Sequence, residues 1–188
     1  MIIAAKLSGD IREVKGALKN SIEMKELGPS TFILGMEIDH DEAAGTLMIK
    51  QTRYIDDVAE RFGQQNVKLL DNPCASGMKL TNMQSPGTVK ERAKMQSRPY
   101  RSLIGCLFHI AACARPDIVF VVTQLPRFFE NPEQPHWRAA IRVLCYLKTT
   151  REHGITYSGE SGNFTVQAYS NADWGTILMT GVPSRASW

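Results

Sequence analysis

The chain has 188 residues, 43% hydrophobic and 22% charged, the balance of a globular protein long enough to bury a core. Its net charge of +3 permits a polyanionic partner without demanding one. No apolar run approaches the roughly 20 residues of a membrane span, and MIIAAK is too short for the apolar core of a signal peptide.

MIIAA reads as a short apolar strand with no hairpin partner before it. Asp10 and Glu13 have the spacing of a capping box. Ile11, Val14, Leu18 and Ile22 then recur at intervals of three and four, which predicts a helix with one apolar stripe. Leu27-Gly28-Pro29 supplies the stop. TFILGMEI (31–38) alternates Phe32, Leu34, Met36 and Ile38 against Ile33, Gly35 and Glu37, so one strand is predicted. The turn DHDEAAG and a second strand, TLMIKQ, complete a hairpin. RYIDDVAERFG returns to helical spacing through Ile55, Val58, Ala59 and Phe62 and ends at Gly63. From Gln64 to about Ser97 the sequence is polar and rich in breakers (Pro73, Gly77, Pro86, Gly87), a loop or linker that sets the first boundary.

Three helices are predicted next. The first carries Tyr100, Leu103, Ile104, Leu107 and Phe108 and ends before Pro116. The second, DIVFVVTQLPRFF, is rich in β-branched residues, which favour strands. Its apolar residues nevertheless keep helical period through Ile118, Val121, Val122, Leu125, Phe128 and Phe129, with Pro126 expected to kink or end it. The third carries Trp137, Ala140, Ile141, Leu144 and Leu147. GITYS, a GESGN turn and FTVQAYS then read as a hairpin. The expected class is α+β, strand-rich at both ends and helical between.

Tyr54-Ile55-Asp56-Asp57 matches Y-x-D-D, in which two adjacent carboxylates help hold paired Mg²⁺ for phosphoryl transfer. That arrangement needs a tight turn between strands. Here the residues open a predicted helix, where a first-turn carboxylate is favoured by the helix dipole alone, so a structural role is expected. Cys106, His109 and Cys113 share a helical face. Ligands seven residues apart stand about 10 Å apart along a helix, too far for one helix to close a zinc site with bonds of about 2.0–2.3 Å. With Cys74 and Cys145, these cysteines form no C-x-x-C pair. The expectation is a reducing, intracellular setting, cytoplasmic or nuclear, without disulfides or a membrane. Arg138, Arg142, Lys148 and Arg151 lie mostly off the apolar stripe of the third helix, and Arg92, Lys94, Arg98 and Arg101 precede the first. Each group is either a phosphate-tracking surface or a solvated helix face.

In order and spacing, MKELGPSTFILGMEI, QTRYIDDVAERFG, YRSLIGCLFHIAACARPDIVFVV, HWRAAIRVLCYLKTT and YSNADW resemble the Pol polyprotein of copia-type LTR retrotransposons. The likeness runs from Met1 to about Trp174, and ARPDI and HWRAAIRVLCYLK are its most telling blocks. It implies the end of a reverse-transcriptase palm with its hairpin (1–63), a linker (64–97), a helical thumb and connection (98–151) and the start of a ribonuclease H domain (152–188). In that family a segment like MIIAAK follows the catalytic Y-V-D-D turn, so the polymerase carboxylates are expected to lie outside this chain. Leu34, Gly35, Met36 and Glu37 match the hairpin that positions a primer 3′ end. Arg101, Arg138, Arg142 and Lys148 match helices that cradle a duplex by its phosphates.

The resemblance also implies a weak RNA–DNA or DNA duplex partner, with the remainder of Pol as a second. Mg²⁺ belongs to the parent family and no tight binding is expected here. The family pattern S-D-A-D-W offers a ribonuclease H metal ligand. The first aspartate is taken as that ligand, and this chain carries Asn171 in its place; were the second the ligand, it would be Asp173. Two residues along a strand move a side chain by about 6.6 Å, so the two are not interchangeable. The tail TILMTGVPSRASW departs from the family's Ser-rich continuation. The implied protein is a Pol fragment inactive by itself, and the alternative is a co-opted helical protein-interaction module.

Overall fold

The computed structural model describes residues 8–66, 70–75 and 97–159, together with Ile3, Ala5, Leu80 and Met95. A first compact unit runs from Met1 to Ser158. The expected MIIAA strand lies mostly outside the described residues, as do FTVQAYS, Asn171 and Asp173.

Helix α1 (Ser8–Ser21) begins two residues before Asp10, which therefore sits in the first turn rather than at the cap. The apolar stripe is present, but α1 buries no residue, and Val14 and Ile22 are exposed by 44% and 61%. Lys15 and Lys19 both pair with Glu26 beyond the helix, and their hydrogen bonds bring its carboxyl down to about 2.

The predicted strand 31–38 is broken in two. β1 (Phe32–Ile33) turns back through Leu34-Gly35 into β2 (Met36–Asp41), with Ile33 opposite Met36. Leu34 has φ 49° and Gly35 φ 80°, the two positive values that a two-residue type I′ hairpin requires. The expected turn DHDEAAG is shorter, 42–45, because β2 runs on through Asp41 and pairs Asp39, His40 and Asp41 with the next strand. Asp41 Oδ1 accepts the Ala43 and Ala44 amides, and Gly45 closes the turn at φ 61°. β3 (Thr46–Lys50) then pairs with β2. β4 (Gly154–Ser158) joins the other side of β3, Lys50 opposite Gly154, giving a four-stranded antiparallel order β1-β2-β3-β4. GITYS was expected to pair with the run after it. Its partner among the described residues is β3, more than a hundred residues upstream.

Helix α2 (Thr52–Arg61) buries Ile55, Val58 and Ala59, as the spacing predicts, and Gly63 ends it at φ 67°. α3 (Tyr100–Cys113) buries Leu103, Ile104, Leu107 and Ile110, whereas Phe108, expected inside, is exposed. The β-branched segment is helical, as its period requires. A 3-10 turn at Pro116–Ile118 leads into α4 (Val119–Gln124), which tightens to 3-10 at Leu125–Phe128, where Pro126 cannot supply the next α-helical amide. α5 (Gln134–Thr149) starts at Glu133, whose N–H donates to His136 Nδ1, and His136 stacks on Phe128 with centroids 3.9 Å apart. One cluster formed by α2, α3, α4 and α5 is the core. The class is α+β.

Candidate nucleic-acid interface

The hairpin tip is anchored from below. Glu37 Oε1 accepts the Arg53 amide at 2.8 Å, satisfying one of the free N–H groups at the start of α2. The Arg53 guanidinium lies 5.9 Å from the Phe32 ring centre. Under Gly35 sit Tyr54 and His109, edge to face with centroids 5.0 Å apart. A Cβ on Gly35 would lie 3.6 Å from the Tyr54 ring and 3.8 Å from His109 Nε2, ordinary contact distances, so backbone conformation and not space requires glycine there. Burial, with a hydrogen bond to Cys106, pushes the Tyr54 hydroxyl up to about 12. His109 also lies 3.7 Å from Cys113 Sγ. Leu34 projects from this base, 77% exposed. Of the expected primer-side residues, Leu34 and Gly35 form the tip, Met36 is half-buried in β2, and Glu37 is a helix cap.

Tyr54-Ile55-Asp56-Asp57 lies on α2 and not in a turn between strands. Because α2 begins at Thr52, the two aspartates fall in its second turn, so the helix dipole is not what places them. Asp56 is held by partners instead. Its Oδ1 takes Lys148 Nζ and its Oδ2 takes Arg151 Nη1 at 2.9 Å. A carboxylate neutralised by two cations is a poor Mg²⁺ ligand, and Asp57 stands exposed beside it. Among the described residues no three His, Cys, Asp or Glu side chains are grouped to hold a metal ion. The described residues do not fit the family's Mg²⁺.

The basic residues of α5 do not all share one face. Arg142 and Lys148, six residues apart, point about 120° apart around α5. Arg142 donates to Asn72 and Lys148 to Asp56. Arg101 is exposed, its guanidinium 5.6 Å over the Phe129 ring and its Nη2 donating to the Phe129 carbonyl. Arg138 is exposed, and among the described residues it is in no ion pair. Arg92 and Lys94 lie outside the described residues.

Comparison with known proteins accounts for this arrangement of blocks. The chain is 38% identical over 173 residues, 92% of its length, to the retrovirus-related Pol polyprotein from transposon TNT 1-94 of Nicotiana tabacum. It is 30% identical over 164 residues, 87% of its length, to that from transposon RE2 of Arabidopsis thaliana. A transposon Ty5-1 protein of Saccharomyces cerevisiae matches at 30% over 177 residues, 94% of the chain. The chain belongs to the copia-type retrotransposon Pol family. It corresponds to a segment of such a polyprotein, spanning 13% of the tobacco relative, 11% of the Arabidopsis one and 55% of the yeast one. No family model matches it, and no solved structure does.

Within this Pol segment, the block ARPDI carries an interaction that motif reading missed. Arg115 is 2% exposed and bonds through three nitrogens. Nε and Nη2 grip Asp117 at 2.9 and 2.7 Å, Nη1 donates to the Thr150 carbonyl at 2.9 Å, and Nη2 reaches the Thr150 hydroxyl at 2.7 Å. Tyr146 donates to Asp117 at 2.7 Å, and its ring lies 5.3 Å from the guanidinium. The arginine thereby ties the end of α3 to the end of α5. The sequence signals were a charged residue just past an apolar helix and its place in ARPDI, one of the two most telling blocks. The Arg115–Asp117–Tyr146 edge, with Met48 and Ile155, lines an open concavity of about 530 Å³.

Proposed function

We propose that this Pol segment serves the reverse-transcriptase part of the polyprotein as a duplex-holding unit. In this reading the Leu34-Gly35 tip lies at a primer 3′ end, Arg101 and Arg138 face phosphates, and polymerase and ribonuclease H chemistry belongs to other parts of Pol. The tip carries the proposal. A non-glycine residue in left-handed conformation costs about 1–2 kcal/mol, and a structure keeps such a residue where the strained shape is used. An exposed leucine on a hairpin fixed to α2 by Glu37 supports a surface made for close approach of a ligand.

Leu34→Gly tests it. Glycine relieves the positive φ at a cost of about 0.5–1 kcal/mol in chain entropy, so stability should be unchanged or higher by up to about 1.5 kcal/mol in urea titration. Anisotropy with a labelled, primed RNA–DNA duplex should show roughly fivefold weaker binding, the loss of about 1 kcal/mol of apolar contact. Unchanged affinity with a stable variant would remove the tip from the interface. Purified chain with Mg²⁺ and primed template should extend nothing. Nucleotide incorporation abolished by Asp56→Ala would overturn the assignment of chemistry elsewhere.

A second reading, a protein-interaction module, draws on Val119 and Phe120, which stand exposed on α4. Binding that persists from 50 to 200 mM salt would favour it, since phosphate contacts weaken steeply over that range.

A further inference from the structure

We infer that Asp56 is an internal substitute for phosphate: it holds Lys148 and Arg151 and withholds both cations from a nucleic-acid backbone. The inference rests on the nucleic-acid reading above and concerns its regulation. Each oxygen of the one carboxylate takes one cation, Lys148 from the last turn of α5 and Arg151 from just beyond it. This is how two unesterified oxygens of a phosphate would be met. The side chains of Lys148, Asp56 and Arg151 are 22%, 34% and 45% exposed, so the cluster faces solvent and a backbone phosphate can reach it. Arg151 Nε also lies 3.6 Å from one oxygen of Glu152, a longer contact than the one with Asp56, and the other oxygen of Glu152 pairs with Lys50 at 2.8 Å. Partly exposed ion pairs contribute little to stability. Removing the Asp56 charge should therefore free Lys148 and leave Arg151 with only its longer contact to Glu152, without unfolding the chain. Asp57, one residue on, is exposed and in no ion pair among the described residues, and gives a control with the same change of charge.

The experiment is anisotropy of the full chain with a labelled RNA–DNA duplex across 50–200 mM KCl, with a thermal melt of each variant. Asp56→Asn should steepen the salt dependence by up to about 1.8 in log–log slope, since each phosphate neutralised contributes about 0.9. That amounts to roughly tenfold more loss of affinity across the range, from tighter binding at low salt. Asp57→Asn should leave the slope as in wild type, and Lys148→Gln with Arg151→Gln should abolish the gain in the Asp56→Asn background. Should Asp56→Asn not fold, that double variant in the wild-type background still decides, because cations already neutralised can be removed with little change of slope. A loss of about two units there would overturn the inference. Equal effects of the Asp56 and Asp57 variants would overturn it too, leaving net charge as the cause. Wild-type binding with an unchanged Asp56→Asn slope defeats this inference alone, whereas no binding by any variant defeats the nucleic-acid reading as well.

Discussion

Arg115→Met should destabilise the folded chain by about 3 kcal/mol, read as a lower denaturation midpoint at unchanged m-value. Methionine keeps most of the aliphatic packing, so the loss isolates the guanidinium. Hydrogen bonds from a charged donor are worth about 1.5–3 kcal/mol each, and the Thr150 carbonyl at the end of α5 loses such a donor. The Asp117 share is smaller, because its side chain is 38% exposed and solvent screens the pair. Arg115→Lys should recover little, since an ammonium cannot reproduce the two-pronged grip.

The pH dependence gives a second readout on the same variant. Burial by itself would raise Asp117, but hydrogen bonds from Arg115 and Tyr146 outweigh it and hold the carboxyl below its usual range. A depressed carboxylate contributes stability that is full above the unfolded value of about 3.9. That contribution disappears as pH falls through the folded value. The wild type should therefore lose stability more steeply below pH 4 than Arg115→Met does. A cost under about 1 kcal/mol would mean that ARPDI is not the tie between α3 and α5 described here.

Gly154→Ala is the second large effect expected. A Cβ at this position would lie 2.2 Å from the Ile49 carbonyl oxygen and 3.0 Å from the Lys50 Cβ. The oxygen is backbone, so it cannot rotate away as a side chain would, and strand pairing has to yield. Overpacking of this kind costs about 1–3 kcal/mol, and the ladder from Lys50↔Gly154 to Thr46↔Ser158 should loosen with it. Amide exchange should accelerate in residues 154–158 and at the β3 amides that bond β4, while the β2 amides and the β3 amides that bond them keep their protection. Unchanged exchange in β4 would show that it is not part of this sheet.

The candidate site was legible only in pieces. Leu34 and Gly35 were singled out, yet the alternation Phe32, Leu34, Met36, Ile38 reads as one strand, and leucine is not a turn residue. The two-residue turn flips the alternation, so that Phe32 shares a face with Glu37 and Ile33 with Met36, and the even-numbered apolar pattern that suggests one strand is not the pattern of faces. Asp56 was rightly set apart from a strand-turn metal site because Ile55, Val58 and Phe62 have helical spacing. Its partners could not be foreseen, since Lys148 is 92 residues away and Arg151 is 95. Of the basic residues chosen for exposure, Arg101, Arg142, Lys148 and Arg151 have partners inside the protein.

What the sequence determined by itself is the α+β class, the helical state of the β-branched run 117–129, the buried face of α2 and the family. These are short-range properties: apolar period selects helix or strand within a few turns, and five blocks in order are enough to recognise relatives. What only the tertiary structure decided is which distant groups meet, namely β4 on β3, Arg115 on Thr150 and Asp56 between two cations. Those pairings depend on how the chain returns on itself, and no local pattern of charge or hydropathy carries that information. The same reason left the stripe of α1 misleading, since periodicity predicts an apolar face but not whether anything covers it.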